Sequence, residues 1–86
     1  MEFIYTERLK KFYKRLTDEE KNALQKKLLL MKKNPYHPSL RTKKVQGSGK
    51  IFECSITMAV RLTWQYEGES ILLRVTGDHD EVLRNP

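Results

Sequence analysis

Two apolar alternations, separated by a single glycine turn, fill the C-terminal third of the chain. Val60, Leu62, Trp64 and Tyr66 alternate with Arg61, Thr63 and Gln65. After Glu67-Gly68, Ile71, Leu73 and Val75 alternate with Leu72, Arg74 and Thr76. A side-chain period of two marks half-buried strands, and the turn signal between them makes an antiparallel hairpin. With Glu67-Gly68 as a two-residue loop, Tyr66 pairs with Glu69, Leu62 with Leu73, and Arg61 with Arg74. The core faces match in this register.

Upstream, Phe52, Cys54 and Ile56 alternate with Glu53, Ser55 and Thr57. A connection at Thr57-Met58-Ala59 sets Ser55 across from Arg61 and Glu53 across from Thr63. The N-terminal half has a different period. Phe3-Ile4-Tyr5 is short and β-prone. Thr6 is placed as an N-cap, and Leu9, Phe12 and Leu16 then recur at helical spacing. Thr17-Asp18-Glu19-Glu20 is a capping box opening a second helix with Ala23, Leu24, Leu28 and Met31 inward; Lys32-Lys33-Asn34-Pro35 ends it. From Asn34 to Lys50 the chain reads as loop, broken by Pro35, Pro38, Gly47 and Gly49, with Val45 beside a strand.

The order is therefore β-α-α-β-β-β. It predicts one α+β domain over residues 1–86, with both helices on one face of a small, mainly antiparallel sheet. Past the last strand, the end at Pro86 leaves little room for a terminal helix.

An 86-residue chain buries only about 60–65% of its unfolded surface, so its core is thin. Net charge is +6 and the pI is about 9.6, which favours nucleic acid or an acidic protein as partner. No apolar run approaches the ~20 residues of a membrane span, and Met1–Tyr5 lacks a signal-peptide layout. A lone cysteine, Cys54, and the absence of zinc spacing point to a reducing cytoplasm with no metal or cofactor.

The open face of this sheet carries the chemistry. Arg61 and Arg74, opposed on neighbouring strands, repel each other, and a bound anion would offset that repulsion. Guanidinium forks suit a phosphate. The plainer alternative has them splay into solvent or pair with Glu53. His79 follows the last strand between Asp78 and Asp80, and a protonated imidazole there could donate a proton to a leaving oxygen. It could equally order the C-terminal turn. Glu53 is a candidate base or a neutraliser of Arg61, with Asp80 and Glu81 as alternatives. Trp64 and Tyr66 lie on the core face.

The ordered stretches His37-Pro38-Ser39-Leu40, Lys43-Lys44-Val45-Gln46-Gly47, Ile51-Phe52-Glu53-Cys54, Val60-Arg61-Leu62-Thr63-Trp64 and Leu73-Arg74-Val75-Thr76-Gly77-Asp78-His79-Asp80-Glu81-Val82-Leu83 span nearly the whole chain. Together they resemble the RelE/ParE superfamily of bacterial toxin–antitoxin toxins. The resemblance implies a type II toxin neutralised by a cognate antitoxin. It also implies metal-independent cleavage of mRNA in the ribosomal A site, with the RNA 2′-hydroxyl as nucleophile. Arg61 matches the family's strand arginine on the scissile phosphate. His79 matches the position that protonates the 5′-oxygen, and Arg74 lies near another functional arginine. Arg41, Lys43, Lys44 and Lys50 would hold RNA backbone. Two further readings stay open: a ParE-like inhibitor of DNA gyrase, and a non-catalytic relative that only binds antitoxin.

Overall fold

The computed structural model describes residues 1–86. Five strands form one sheet: β1 (Phe3–Tyr5), β2 (Lys43–Lys44), β3 (Phe52–Ser55), β4 (Val60–Glu67) and β5 (Ser70–Asp78). Their order is β1-β5-β4-β3-β2. β1 runs parallel to β5 and every other pair is antiparallel. The helices are α1 (Glu7–Tyr13), α2 (Asp18–Lys33) and α3 (His79–Arg84), with a 3-10 turn at Pro38–Leu40.

Local chemistry sets the helix starts. Thr6 Oγ1 accepts from Leu9 N at 3.0 Å and donates to Leu73 O at 2.8 Å, so one hydroxyl caps α1 and ties it to β5. In the capping box, Glu20 N donates to Thr17 Oγ1 at 3.1 Å and Thr17 N to Glu20 Oε1 at 2.8 Å. Leu9, Leu16, Leu24, Leu28 and Met31 from the helical layer pack on Cys54, Ile56, Val60, Leu62, Trp64, Ile71 and Leu73. Trp64 is fully buried and stacks on Phe52 with ring centres 4.6 Å apart. Its indole N–H has no acceptor, a local cost of about 1–3 kcal/mol that the surrounding packing carries.

The expected register of β3 on β4 is the observed one: Ser55 faces Arg61 and Glu53 faces Thr63. The β4–β5 register differs. Glu67 pairs with Ser70, so the loop is Gly68-Glu69, not Glu67-Gly68. Gly68 sits at φ 59°, the left-handed geometry that a II′ hairpin asks of its first central residue. Trp64 then faces Leu73 while Thr63 faces Val75, which leaves Arg74 as an extra residue in a β-bulge. Two corrections follow. Arg61 lies across from Gly77 rather than Arg74, and past the bulge Thr76 takes the core side opposite Leu62 while Val75 turns to the face of Thr63. A bulge breaks the period of two without breaking the apolar pattern, so Ile71, Leu73 and Val75 look like one face in sequence and are not.

Two elements arise in segments read as loop or as chain end. β2 extends the sheet at Lys43–Lys44, and α3 forms after β5. That six-residue helix is capped by Asp78, whose carboxylate accepts from Asp80 N at 3.2 Å, and it buries Val82. The two residues that follow it are held by two arginines: Arg74 Nε donates to Pro86 O at 3.2 Å, and Arg8 of α1 donates to Asn85 O. No helix is long and apolar enough to cross a membrane.

Candidate functional site: a basic cleft on the open face

The cleft begins at the turn between β3 and β4. Thr57 Oγ1 accepts from Ala59 N at 3.2 Å and Val60 N at 3.0 Å, which fixes the turn. Arg61, half-buried on β4, donates from Nη1 to Thr57 O at 2.8 Å and Met58 O at 3.0 Å. Those carbonyls lock one end of the guanidinium. Its Nε and Nη2 donors make no hydrogen bond within the protein, and a planar fork of this kind suits a phosphate's oxygens.

His79, the first residue of α3, is placed by its own backbone: its N–H donates to Ala59 O at 2.7 Å, beside the same turn. Its Nδ1 lies 3.1 Å from Asp80 Oδ1, with the ring about half exposed. When the ring is protonated, Asp80 accepts from Nδ1–H and the Nε2 proton is the one available for transfer. Glu53 on β3 is 6% exposed and makes no ion pair within 4.0 Å. Arg61, His79 and Glu53 line one cavity of about 170 Å³, together with Arg41, Lys43 and Ser55.

Arg41 reaches this cavity through an unusual backbone. It follows the 3-10 turn in the left-handed region, φ 51° and ψ 46°, which costs a non-glycine residue roughly 1–2 kcal/mol. Three anchors impose it: Leu40 is fully buried, Lys27 Nζ donates to Ser39 O at 2.9 Å, and Thr42 Oγ1 donates to Pro35 O at 2.6 Å. A larger cavity, about 610 Å³, shares Arg41, Ser55 and Arg61 with the small one and adds Lys27 and Met58.

Sequence reasoning placed Arg61, His79 and Glu53 together, and the fold does so. Arg74 is elsewhere: besides holding Pro86, its Nη1 donates to Gln65 Oε1 at 2.6 Å, and it lines neither cavity. The second guanidinium of the cleft is Arg41. Asp80 contacts the His79 ring and does not line the cavity. Lys43 lines the small cavity, whereas the Lys44 ammonium sits 6.0 Å over the Phe52 ring and Lys50 lines neither cavity. Lys27 was missed. Its signal was present: it lies three residues after Leu24 and four before Met31, on the apolar stripe of α2, where a lysine stands out.

Two groups have shifted acidities, Cys54 behind the cleft and the exposed Tyr66 at the far end of β4. Burial pushes the Cys54 thiol from 9.0 to about 12; Lys27 and Arg61 pull it back, and Glu53 adds to the rise. Desolvation, then the hydrogen bond to Tyr36, pushes the Tyr66 phenol up to about 12.

No family model matches the chain, and no curated protein sequence does. Its fold does match solved structures over nearly its whole length. The YoeB/ParE toxin from Agrobacterium tumefaciens superposes with a TM-score of 0.78 at 14% identity, covering 92% of this chain and 99% of that one. The YafQ toxin of the E. coli DinJ–YafQ toxin–antitoxin complex gives 0.73 at 20% identity, covering 94% of each chain. A mutant of the E. coli toxin RelE in the free state gives 0.72 at 18% identity, covering 96% and 88%. The chain has the RelE-type toxin fold.

Proposed function

We propose that this chain is the toxin of a type II toxin–antitoxin pair and cleaves mRNA on the ribosome. One observation carries the reading: Arg61, His79 and Glu53 line the same small cavity, walled by Arg41 and Lys43. Those residue types suffice for phosphodiester transesterification. The 2′-hydroxyl attacks the adjacent phosphorus as Glu53 accepts its proton, and the P–O5′ bond breaks as His79 Nε2 protonates the departing 5′-oxygen. The products are a 2′,3′-cyclic phosphate and a 5′-hydroxyl. Arg61 and Arg41 bind the non-bridging oxygens, on which charge grows in the phosphorane. Asp80 keeps the imidazole oriented through Nδ1.

Arg61→Ala and His79→Ala are each expected to lower mRNA cleavage by at least about 100-fold and to abolish growth arrest with the fold retained, Arg61→Ala at a modest cost in stability from its lost bonds to Thr57 O and Met58 O. Primer extension on induced cells reads the cut sites directly. Cleavage at the wild-type level in both variants would remove the assignment. The gyrase reading draws on one feature: β3 reads Phe52-Glu53-Cys54-Ser55 and presents no lysine to RNA. Intact transcripts with stalled replication would favour it.

The antitoxin surface in this proposal is the groove between α1 and α2. Leu9, Tyr13, Leu24 and Leu28 form an apolar floor of about 370 Å³, and Lys10 and Lys14 edge it. Apolar floor and cationic rim suit an amphipathic helix with acidic flanks. Tyr13→Asp is expected to release the antitoxin while leaving toxicity intact.

A further inference from the structure

The larger cavity has no task in the bond-breaking chemistry, yet it adjoins the small one through Arg41, Ser55 and Arg61. At about 170 Å³ the small cavity has room for a phosphate and the groups that act on it, not for a base as well. At about 610 Å³ the larger one is in the range of small-molecule sites, roughly 300–1,000 Å³. Its lining is mixed in a particular way. Met58 projects from the β3–β4 turn and, at 96% exposed, is the most exposed of the large apolar side chains. Pro38 lies among the same lining residues, and Lys27 and Arg41 supply positive charge. Ser39 and Thr57 offer hydroxyls.

We infer that this cavity is a nucleotide subsite, in which Met58 packs on the base flanking the scissile phosphate while Lys27 holds the next phosphate. Resting on the nuclease reading, the inference extends it from phosphate chemistry to base preference. The turn that carries Met58 is the one whose carbonyls lock Arg61, so the base contact and the phosphate contact share one rigid support. A thioether packs well on an aromatic ring and is indifferent to ring polarity, so purines, with more surface, are held better than pyrimidines.

The test uses the wild-type protein labelled at its methionine methyls, of which there are three: Met1, Met31 and Met58. The probes are 2′-O-methyl trinucleotides, which the protein cannot cleave, with the central base varied. Ring-current shift of the Met58 methyl is expected, larger for purines, with the fully buried Met31 methyl unmoved. Met58→Ala is expected to weaken the preferred trinucleotide by about two- to tenfold, the range of a sulfur–aromatic contact, and to level the base preference. Shifts at the Arg61 and His79 amides with a silent Met58 methyl would overturn the subsite and leave the nuclease reading standing. Silence at all of them, with every probe, would overturn the subsite, while the nuclease reading falls only if primer extension finds no cut transcripts. Undiminished preference in Met58→Ala would also overturn the subsite.

Discussion

Arg41 concentrates the tension between stability and activity in one residue. Its left-handed backbone is strained, and the buried Leu40, the Lys27–Ser39 bond and the Thr42–Pro35 bond hold it there. Strain of that kind persists where the surroundings over-determine it. Arg41→Gly removes the guanidinium and relieves the strain while loosening the unfolded chain. The expected variant unfolds within about 1 kcal/mol of wild type but cleaves RNA poorly. Chemical denaturation and a cleavage assay separate the two effects; a loss of stability with full activity would place Arg41 in the scaffold instead. Cys54 makes the opposite case, a reactive group silenced by its setting. With its folded pKa above the unfolded value, it contributes stability below pH 9 that is lost as pH rises toward 12. Native protein at pH 8 is expected to resist thiol reagents, and Cys54→Ala to flatten the alkaline side of the stability profile.

The element that matters most for the cleft is α3. Six residues are too few to hold a helix in water alone. It persists through its Asp78 cap, the burial of Val82, the Arg15–Glu81 pair at 3.6 Å and the two arginines that hold the Asn85 and Pro86 carbonyls just past its end. Arg74 thus serves the site by securing the helix that starts with His79. Arg74→Gln is expected to raise amide exchange across His79–Arg84 and to cost about 1–3 kcal/mol of stability, without loss of RNA affinity at the Arg61 cavity. Weakened RNA binding with unchanged exchange would restore Arg74 to direct contact. The bulge is what made this residue hard to place. An extra residue in a strand leaves the apolar pattern intact, so alternation alone carried Arg74 onto the same row as Arg61.

At the scale of the molecule, charge and shape agree. Of the 17 lysines and arginines, four line the two joined cavities: Lys27, Arg41, Lys43 and Arg61. A single strand crossing them would neutralise two to four phosphates. The logarithm of its affinity should therefore fall against the logarithm of salt with a slope between about −1.4 and −2.8. A slope near zero, measured by titration at several salt concentrations, would indicate that these cations hold something other than a polyanion.

Local rules settled a good deal of this protein in advance. The capping box at Thr17–Glu20, the helical stripes, the β3–β4 register and the neighbourhood of Arg61 with His79 and Glu53 all depend on residues close in sequence or on one repeated period. The fold alone decided the rest. That the bulge falls at Arg74, that Arg41 turns left-handed, that α3 closes over the open face and that Lys27 reaches the cleft each depend on contacts between distant segments. Such contacts carry energy only once the chain has brought those segments together, so no window of sequence contains them.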